Sequence, residues 1–251
     1  MARERDGDGC GLEGAGMEAR SGEGAADGGH LWPLVLDAET RELLRRRPAR
    51  AMLGARPALV AIDLYELAYA GGARPVPELQ AEHPESCGAF AWAALPFHVE
   101  LFAIARAAGI PVIHVTYDAR AEADPEAVQP TNRGGRRPDP ALYRIKEELR
   151  PLPGERVVYK KRAGAFFGTP LIAYLNELAI DSLVMVGEST SGCLRASVIE
   201  GGAHGFAVEV VAECAFDRHE LVHQASLLDM HLKYATVVGL RDACARIGGG
   251  R

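Results

Sequence analysis

Three side chains, far apart along the chain, are of types that together could cleave an amide: an acid at Asp63, an amine at Lys160 and a thiol at Cys193. Cys193 lies in Leu183-Val184-Met185-Val186-Gly187-Glu188-Ser189-Thr190-Ser191-Gly192-Cys193-Leu194-Arg195-Ala196, where an apolar β-type run passes through small residues into a helical pattern. A cysteine at a helix start meets unpaired backbone N–H groups and the positive end of the helix dipole, which predicts a thiolate. The same N–H groups could hold the oxyanion formed when sulfur attacks a carbonyl. Asp63 closes the run Ala58-Leu59-Val60-Ala61-Ile62, and Lys160 closes Val157-Val158-Tyr159. Each has an ordinary reading alone: a buried cysteine in a turn, an aspartate capping the next turn, a lysine reaching to solvent. Together, at three strand ends, they can meet in one cleft.

The elements that would position them alternate regularly. Apolar runs at 58–62, 110–116, 156–159, 182–186, 206–211 and 235–238 read as buried strands. Helical patterns at 93–108, 140–149, 170–179, 192–203 and 219–233 lie between them. This alternation predicts βαβ units and a parallel sheet covered on both faces. Ligands of such sheets sit beyond the carboxyl ends of the strands, where Asp63, Lys160 and Cys193 fall. Residues 1–30 read as a disordered tail, 31–56 as an N-terminal arm and 57–251 as the folded domain. The segments 66–92 and 118–139 read as long loops.

Composition narrows the classes. The chain has 251 residues, 48% hydrophobic and 25% charged, with a net charge of −6 and no basic stripe, which disfavours nucleic acid as a partner. No uninterrupted apolar run reaches the roughly 18 residues of a membrane span, and the first residues lack a signal-peptide core, so a cytoplasmic location is expected. Five scattered cysteines without a C-x-x-C spacing suit a reducing compartment better than a disulfide framework or a cysteine zinc site.

Three segments carry a specific resemblance: Lys160-Lys161-Arg162-Ala163-Gly164-Ala165-Phe166-Phe167-Gly168-Thr169, then Ser189-Thr190-Ser191-Gly192-Cys193-Leu194-Arg195-Ala196, then Asp217-Arg218-His219 with Leu228-Asp229-Met230 and Lys233-Tyr234. With an aspartate closing the first strand, residues 57–240 resemble the isochorismatase-like cysteine hydrolases, the N-carbamoylsarcosine amidohydrolase branch above all. That resemblance implies a three-layer α/β/α fold, Rossmann-like, with a six-stranded, mostly parallel sheet and a homo-oligomeric assembly. It implies a triad of Asp63, Lys160 and Cys193. Lys160 is chosen over Lys161 because the family's lysine stands five residues before the Ala of Ala-Phe. It places the oxyanion hole at the backbone N–H groups of Ser189 and Cys193, and the family's cis peptide at Glu188–Ser189.

By the same resemblance Arg218 would bind a substrate carboxylate, a task that suits a guanidinium. Glu188 and Tyr65 are further candidates to touch substrate. Both depart from the family's pattern: Leu64-Tyr65-Glu66 stands where Gln-Asn is common, and Glu188 where a small or apolar residue is usual. The implied activity is cofactor-independent, cysteine-dependent hydrolysis of a small carboxylate-bearing N-carbamoyl compound or amide, with ammonia released through an acyl-enzyme. Rival substrates are maleamate-, ureidoacrylate- and biuret-like compounds. Rival functions are vinyl-ether hydrolysis without a cysteine nucleophile, and a silent scaffold subunit.

One competing motif remains. His219-Glu220-Leu221-Val222-His223 matches the H-E-x-x-H pattern of zinc peptidases. Asp217 and Glu220 have capping-box spacing, which would put the motif in a helix's first turn, and no downstream histidine completes a metzincin extension. Tyr65 stands where metal-binding relatives carry the histidine of an Asp-x-His pair, and His83 and His98 fall at no matching spacing. No metal is expected.

Overall fold

The computed structural model describes Val35 and residues 37–46, 53–119 and 139–249. The tail at 1–30, the Asn132–Pro138 loop segment and parts of the arm lie outside the described residues. In chain order the elements are helix α1 (Ala38–Arg45), strand β1 (Pro57–Ile62), one-turn helices α2 (Glu66–Tyr69) and α3 (Val76–Leu79), α4 (Gly88–Ala107), β2 (Val112–Tyr117), β3 (Arg156–Lys160), α5 (Leu171–Glu177), β4 (Ser182–Glu188), α6 (Arg195–Ala203), β5 (Ala207–Phe216), α7 (Glu220–Lys233), β6 (Thr236–Val238) and α8 (Leu240–Gly248).

Among the described residues the strands form one six-stranded sheet in the order β3-β2-β1-β4-β5-β6, every pair parallel. The order reverses between β1 and β4, so the switch point falls where Asp63 and the Cys193 turn emerge. Both faces are covered, as parallel sheets require. Successive β1 side chains alternate between them: Ala58, Val60 and Ile62 pack with Leu171, Leu175, Val198 and Leu227 of α5, α6 and α7. Leu59 and Ala61 pack with Leu101, Phe102, Ala243 and Ile247 of α4 and α8.

Several elements differ from the sequence expectation. The pattern at 140–149 is two short 3₁₀ turns, Pro140–Tyr143 and Glu147–Leu149, separated where Ile145 pairs with Tyr65 in an isolated antiparallel bridge. The 66–92 loop contains α2, α3 and the start of α4. The 20-residue α4 is, by length and composition, apolar enough to cross a bilayer, yet it packs on the sheet with Ala91, Leu101, Phe102 and Ala105 buried. In the arm, Asp37 caps α1 by accepting from Thr40 N at 2.7 Å, and Leu44 is buried in the chain's own core.

Candidate active site

The sheet brings the three chemically active side chains together at its carboxyl edge. Asp63 follows β1 in the left-handed region (φ 53°), which a short polar side chain tolerates. Its carboxylate turns inward and is 1% exposed. Lys160, the last residue of β3 and 3% exposed, sets its Nζ 2.7 Å from Asp63 Oδ2. Lys161, one position on, points to solvent. The Lys160–Asp63 contact is close but off the hydrogen-bond angle, so neither Asp63 oxygen has a well-aligned donor. Cys193 stands beside both Asp63 and Lys160, close enough for each to bear on its proton.

Close packing builds the turn that carries Cys193. Gly187 sits at φ 116°, with the Ile62 carbonyl oxygen 1.9 Å from where a Cβ would stand, so only glycine fits between β4 and β1. The Glu188–Ser189 peptide is cis. Residues Thr190–Leu194 form a single wide turn, broken at Gly192 (φ −114°, ψ −106°), before α6 begins. Leu194 N and Gly192 N both donate to Ser189 O, at 3.2 and 2.9 Å. Three contacts from α7 and its approach pin the turn: Ser191 N and Oγ donate to Asp217 Oδ2 at 2.8 and 2.7 Å, and His223 Nδ1 lies 2.8 Å from Thr190 Oγ1. Ser197 ties the loop after Lys160 to the same turn, accepting from Ala165 N at 3.0 Å and donating to Cys193 O at 2.7 Å.

Two sequence expectations change here. Asp217 does not cap α7; its carboxylate serves Ser191 and Arg218 N, and the N-cap is His219 without a side-chain bond. The environment of Cys193 also opposes the thiolate expected of it. Burial, with Asp63 beside it, pushes the thiol up to about 12 despite the opposing Lys160 charge. The helix-end argument fails because α6 starts two residues later and the sulfur is desolvated beside a carboxylate. Lys160 is shifted up: burial alone would lower it, and Asp63 and Cys193 outweigh that.

Glu188 and Tyr65 meet directly, Tyr65 Oη donating to Glu188 Oε1 at 2.8 Å. Both are buried, Glu188 to 1% and Tyr65 to 5% exposure. Arg218 Nη2 lies 3.7 Å from Glu188 Oε2 and 3.6 Å from Glu85 Oε2, and donates to Glu85 O at 2.9 Å. Arg218 also lines a 490 Å³ cavity walled by Val76, Phe90 and Leu221. Phe90, rather than Trp92 or Phe97, is the aromatic wall; Trp92 instead donates to Tyr69 O at 3.1 Å. Asp63, Lys160 and Cys193 are not among the cavity walls, and Arg218 connects the two regions through Glu188 and Asp217. Cys87 and Glu85, which sequence reasoning passed over, both belong to this cluster.

The H-E-x-x-H residues do not face one another as ligands: His219 is exposed, while His223 is turned toward Thr190. Among the described residues no three His, Cys, Asp or Glu side chains are grouped to hold a metal ion.

Comparison with known proteins gives the chain's family. The Isochorismatase domain family matches residues 58–242. Maleamate amidohydrolase of Pseudomonas putida is 44% identical over 101 residues, covering 40% of this chain and 47% of that protein, so the match spans less than half of that relative. N-carbamoylsarcosine amidase of Arthrobacter sp. is 31% identical over 194 residues, 73% of this chain and 68% of that one. Among solved structures, an isochorismatase family protein from Burkholderia thailandensis superposes with a TM-score of 0.65 at 23% identity, covering 78% of this chain and 97% of the other.

Proposed function

The chain belongs to the isochorismatase family of hydrolases, and from that premise we propose that it is a cysteine-dependent amidohydrolase acting on a small carboxylate-bearing N-carbamoyl compound or amide, N-carbamoylsarcosine-like, with release of ammonia. The observation that carries this reading is the buried Lys160–Asp63 pair, 2.7 Å apart, with the Cys193 thiol in reach of both.

The proton begins on sulfur, because the thiol is held at about 12. Asp63 takes that proton as Cys193 Sγ attacks the carbonyl carbon, so attack and deprotonation occur together rather than from a standing thiolate. The carbonyl electron pair moves to oxygen, and the backbone N–H groups of Ser189 and Cys193 receive the charge. Lys160 keeps the two acids from repelling one another and stabilises negative charge as it moves between them. Asp63 then delivers the proton to the leaving nitrogen, the C–N bond breaks and ammonia departs. Water, deprotonated by Asp63, adds to the carbonyl of the remaining thioester-like bond, the C–S bond breaks, and Asp63 passes its proton back to the departing sulfur. Arg218, Glu188 and Tyr65 form the substrate-recognition side, with Arg218 taking the carboxylate.

Identity to a maleamate amidohydrolase over part of the chain makes maleamate-like acids the first rival within the same chemistry. The test is ammonia release from N-carbamoyl amino acids, maleamate, ureidoacrylate and biuret, each with wild type and Cys193→Ala. Turnover of any of these acids that disappears with the sulfur supports the reading. No turnover of the whole panel while Cys193 still alkylates contradicts the substrate class.

A further inference from the structure

Glu188 is a buried acid for which amide cleavage by thiol, carboxylate and lysine has no use. It is the last residue of β4 and 1% exposed. A carboxyl this deep costs several kcal/mol unless it is paired and hydrogen-bonded. The β1–α4 connection, at both of its ends, and the segment after β5 supply that pairing. Tyr65, after β1, donates to Oε1 at 2.8 Å. Cys87, before α4, donates its thiol to Oε2 at 3.3 Å. Arg218, after β5, sets Nη2 3.7 Å from Oε2. The two neutral donors fix the plane of the carboxyl, and the guanidinium supplies the opposing charge.

The Arg218 contacts are lopsided. Glu188 Oε2, Glu85 Oε2 and Glu85 O all engage Nη2, at 3.7, 3.6 and 2.9 Å. Nε and Nη1 make no hydrogen bond to the described residues, and Arg218 lines the cavity beside Phe90. We propose that Glu188 is a positioning residue for substrate selection: held by Tyr65 and Cys87, it draws one nitrogen of Arg218 aside and leaves the rest of the guanidinium oriented for the carboxylate of the substrate. This rests on the reading above that Arg218 binds that carboxylate. An arginine so restrained loses little rotamer freedom on binding, which favours anionic over neutral substrates of the same shape. The Glu188 charge also adds to the influences that hold the Cys193 thiol up.

Two alkylating agents of equal size test this without turnover. Cys193 modification by iodoacetate and by iodoacetamide is followed at neutral pH on the full chain by peptide mass spectrometry, with a free thiol as reference. The wild-type iodoacetate-to-iodoacetamide rate ratio should exceed that of the free thiol at least tenfold, and Arg218→Gln should erase the excess. Glu188→Gln, which removes the charge and keeps one oxygen to accept from Tyr65 or from Cys87, should lower the ratio at least fivefold and move the pH profile of iodoacetamide modification to lower pH. Tyr65→Phe, which keeps the charge and removes one donor, should give a smaller drop, and it decides the matter should Glu188→Gln not fold. A ratio unchanged in Glu188→Gln, or in Tyr65→Phe where only that variant folds, overturns the proposal, as does a wild-type ratio equal to that of the free thiol. A raised, Glu188-dependent ratio in a protein that cleaves none of the amides would instead sink the proposed function and leave this inference standing.

Discussion

Two clusters of charge stand at opposite ends of the same sheet, and they are built on different terms. Near the start of β3, Glu155 accepts from Arg106 Nε at 2.7 Å and from Leu152 N at 2.9 Å, with His114 Nε2 at 3.0 Å. Burial would raise this carboxyl, and its donors, Arg106 first, hold it instead down at about 2. At the carboxyl end, Asp63 and Lys160 are more deeply enclosed than Glu155 and Arg106, neither Asp63 oxygen has an aligned donor, and the Cys193 thiol is pushed up to about 12. A satisfied network fixes its proton inventory and stabilises the fold. An under-satisfied one suits the proposed acyl transfer, in which a proton moves between sulfur and carboxylate.

That contrast can be broken at either end. The largest expected effect is on turnover: Cys193→Ala should lower kcat by about 10⁴-fold or more in the ammonia assay, and Cys193→Ser by at least about 10³-fold. A loss of tenfold or less would revive the scaffold reading. Asp63→Asn should cost about 10³-fold in kcat/KM, and it should also destabilise the fold by ~3 kcal/mol in urea, because Lys160 is left buried without its counter-ion.

The third effect is one of pH. The folded Cys193 thiol is raised from its ordinary 9.0 to about 12, so the neutral form persists through neutral and moderately alkaline solution. Its iodoacetamide rate should therefore climb close to tenfold per pH unit from pH ~6 to ~9 without levelling, given that rate follows thiolate fraction. A plateau below pH ~8 would mean a standing thiolate and would remove the need for Asp63 as base.

The smallest effect belongs to the other cluster. Glu155→Gln should cost about 2 kcal/mol of stability and leave turnover intact. The Glu155 carboxyl is depressed from 4.5 to about 2 in the folded state, so its contribution is full above pH 4.5 and fades as pH falls toward 2. The wild-type advantage in urea midpoint should shrink over that window. A constant advantage across it would place the effect in packing instead of charge.

Most of the frame was legible because it is repetitive. Buried parallel strands are short apolar runs, and five of the six lie within about two residues of their expected ends. β5 alone runs much further, to Phe216, because Glu213 and Cys214 interrupt the apolar signal while pairing with β4 continues past a bulge. The 140–149 pattern failed as a helix because Tyr65, from another part of the chain, takes Ile145 into a bridge. The Asp63, Lys160 and Cys193 positions were legible as strand ends on one edge.

What sequence could not show was partner choice over long separations. Asp217 has capping-box spacing with Glu220, yet it serves Ser191, 26 residues away. Arg218 is held by Glu85, 133 residues away, and no local pattern announces that pairing. At Cys193 the local dipole argument is likewise opposed by what no local pattern shows, burial and Asp63, both products of the tertiary fold.

The most direct test of the central assignment is mass spectrometry of the protein quenched during turnover of an accepted N-carbamoyl acid or amide. An acyl mass on the peptide carrying Cys193, absent in Cys193→Ala, is the predicted result. Ammonia release with no adduct on that peptide, or with the adduct on another residue, would contradict the account.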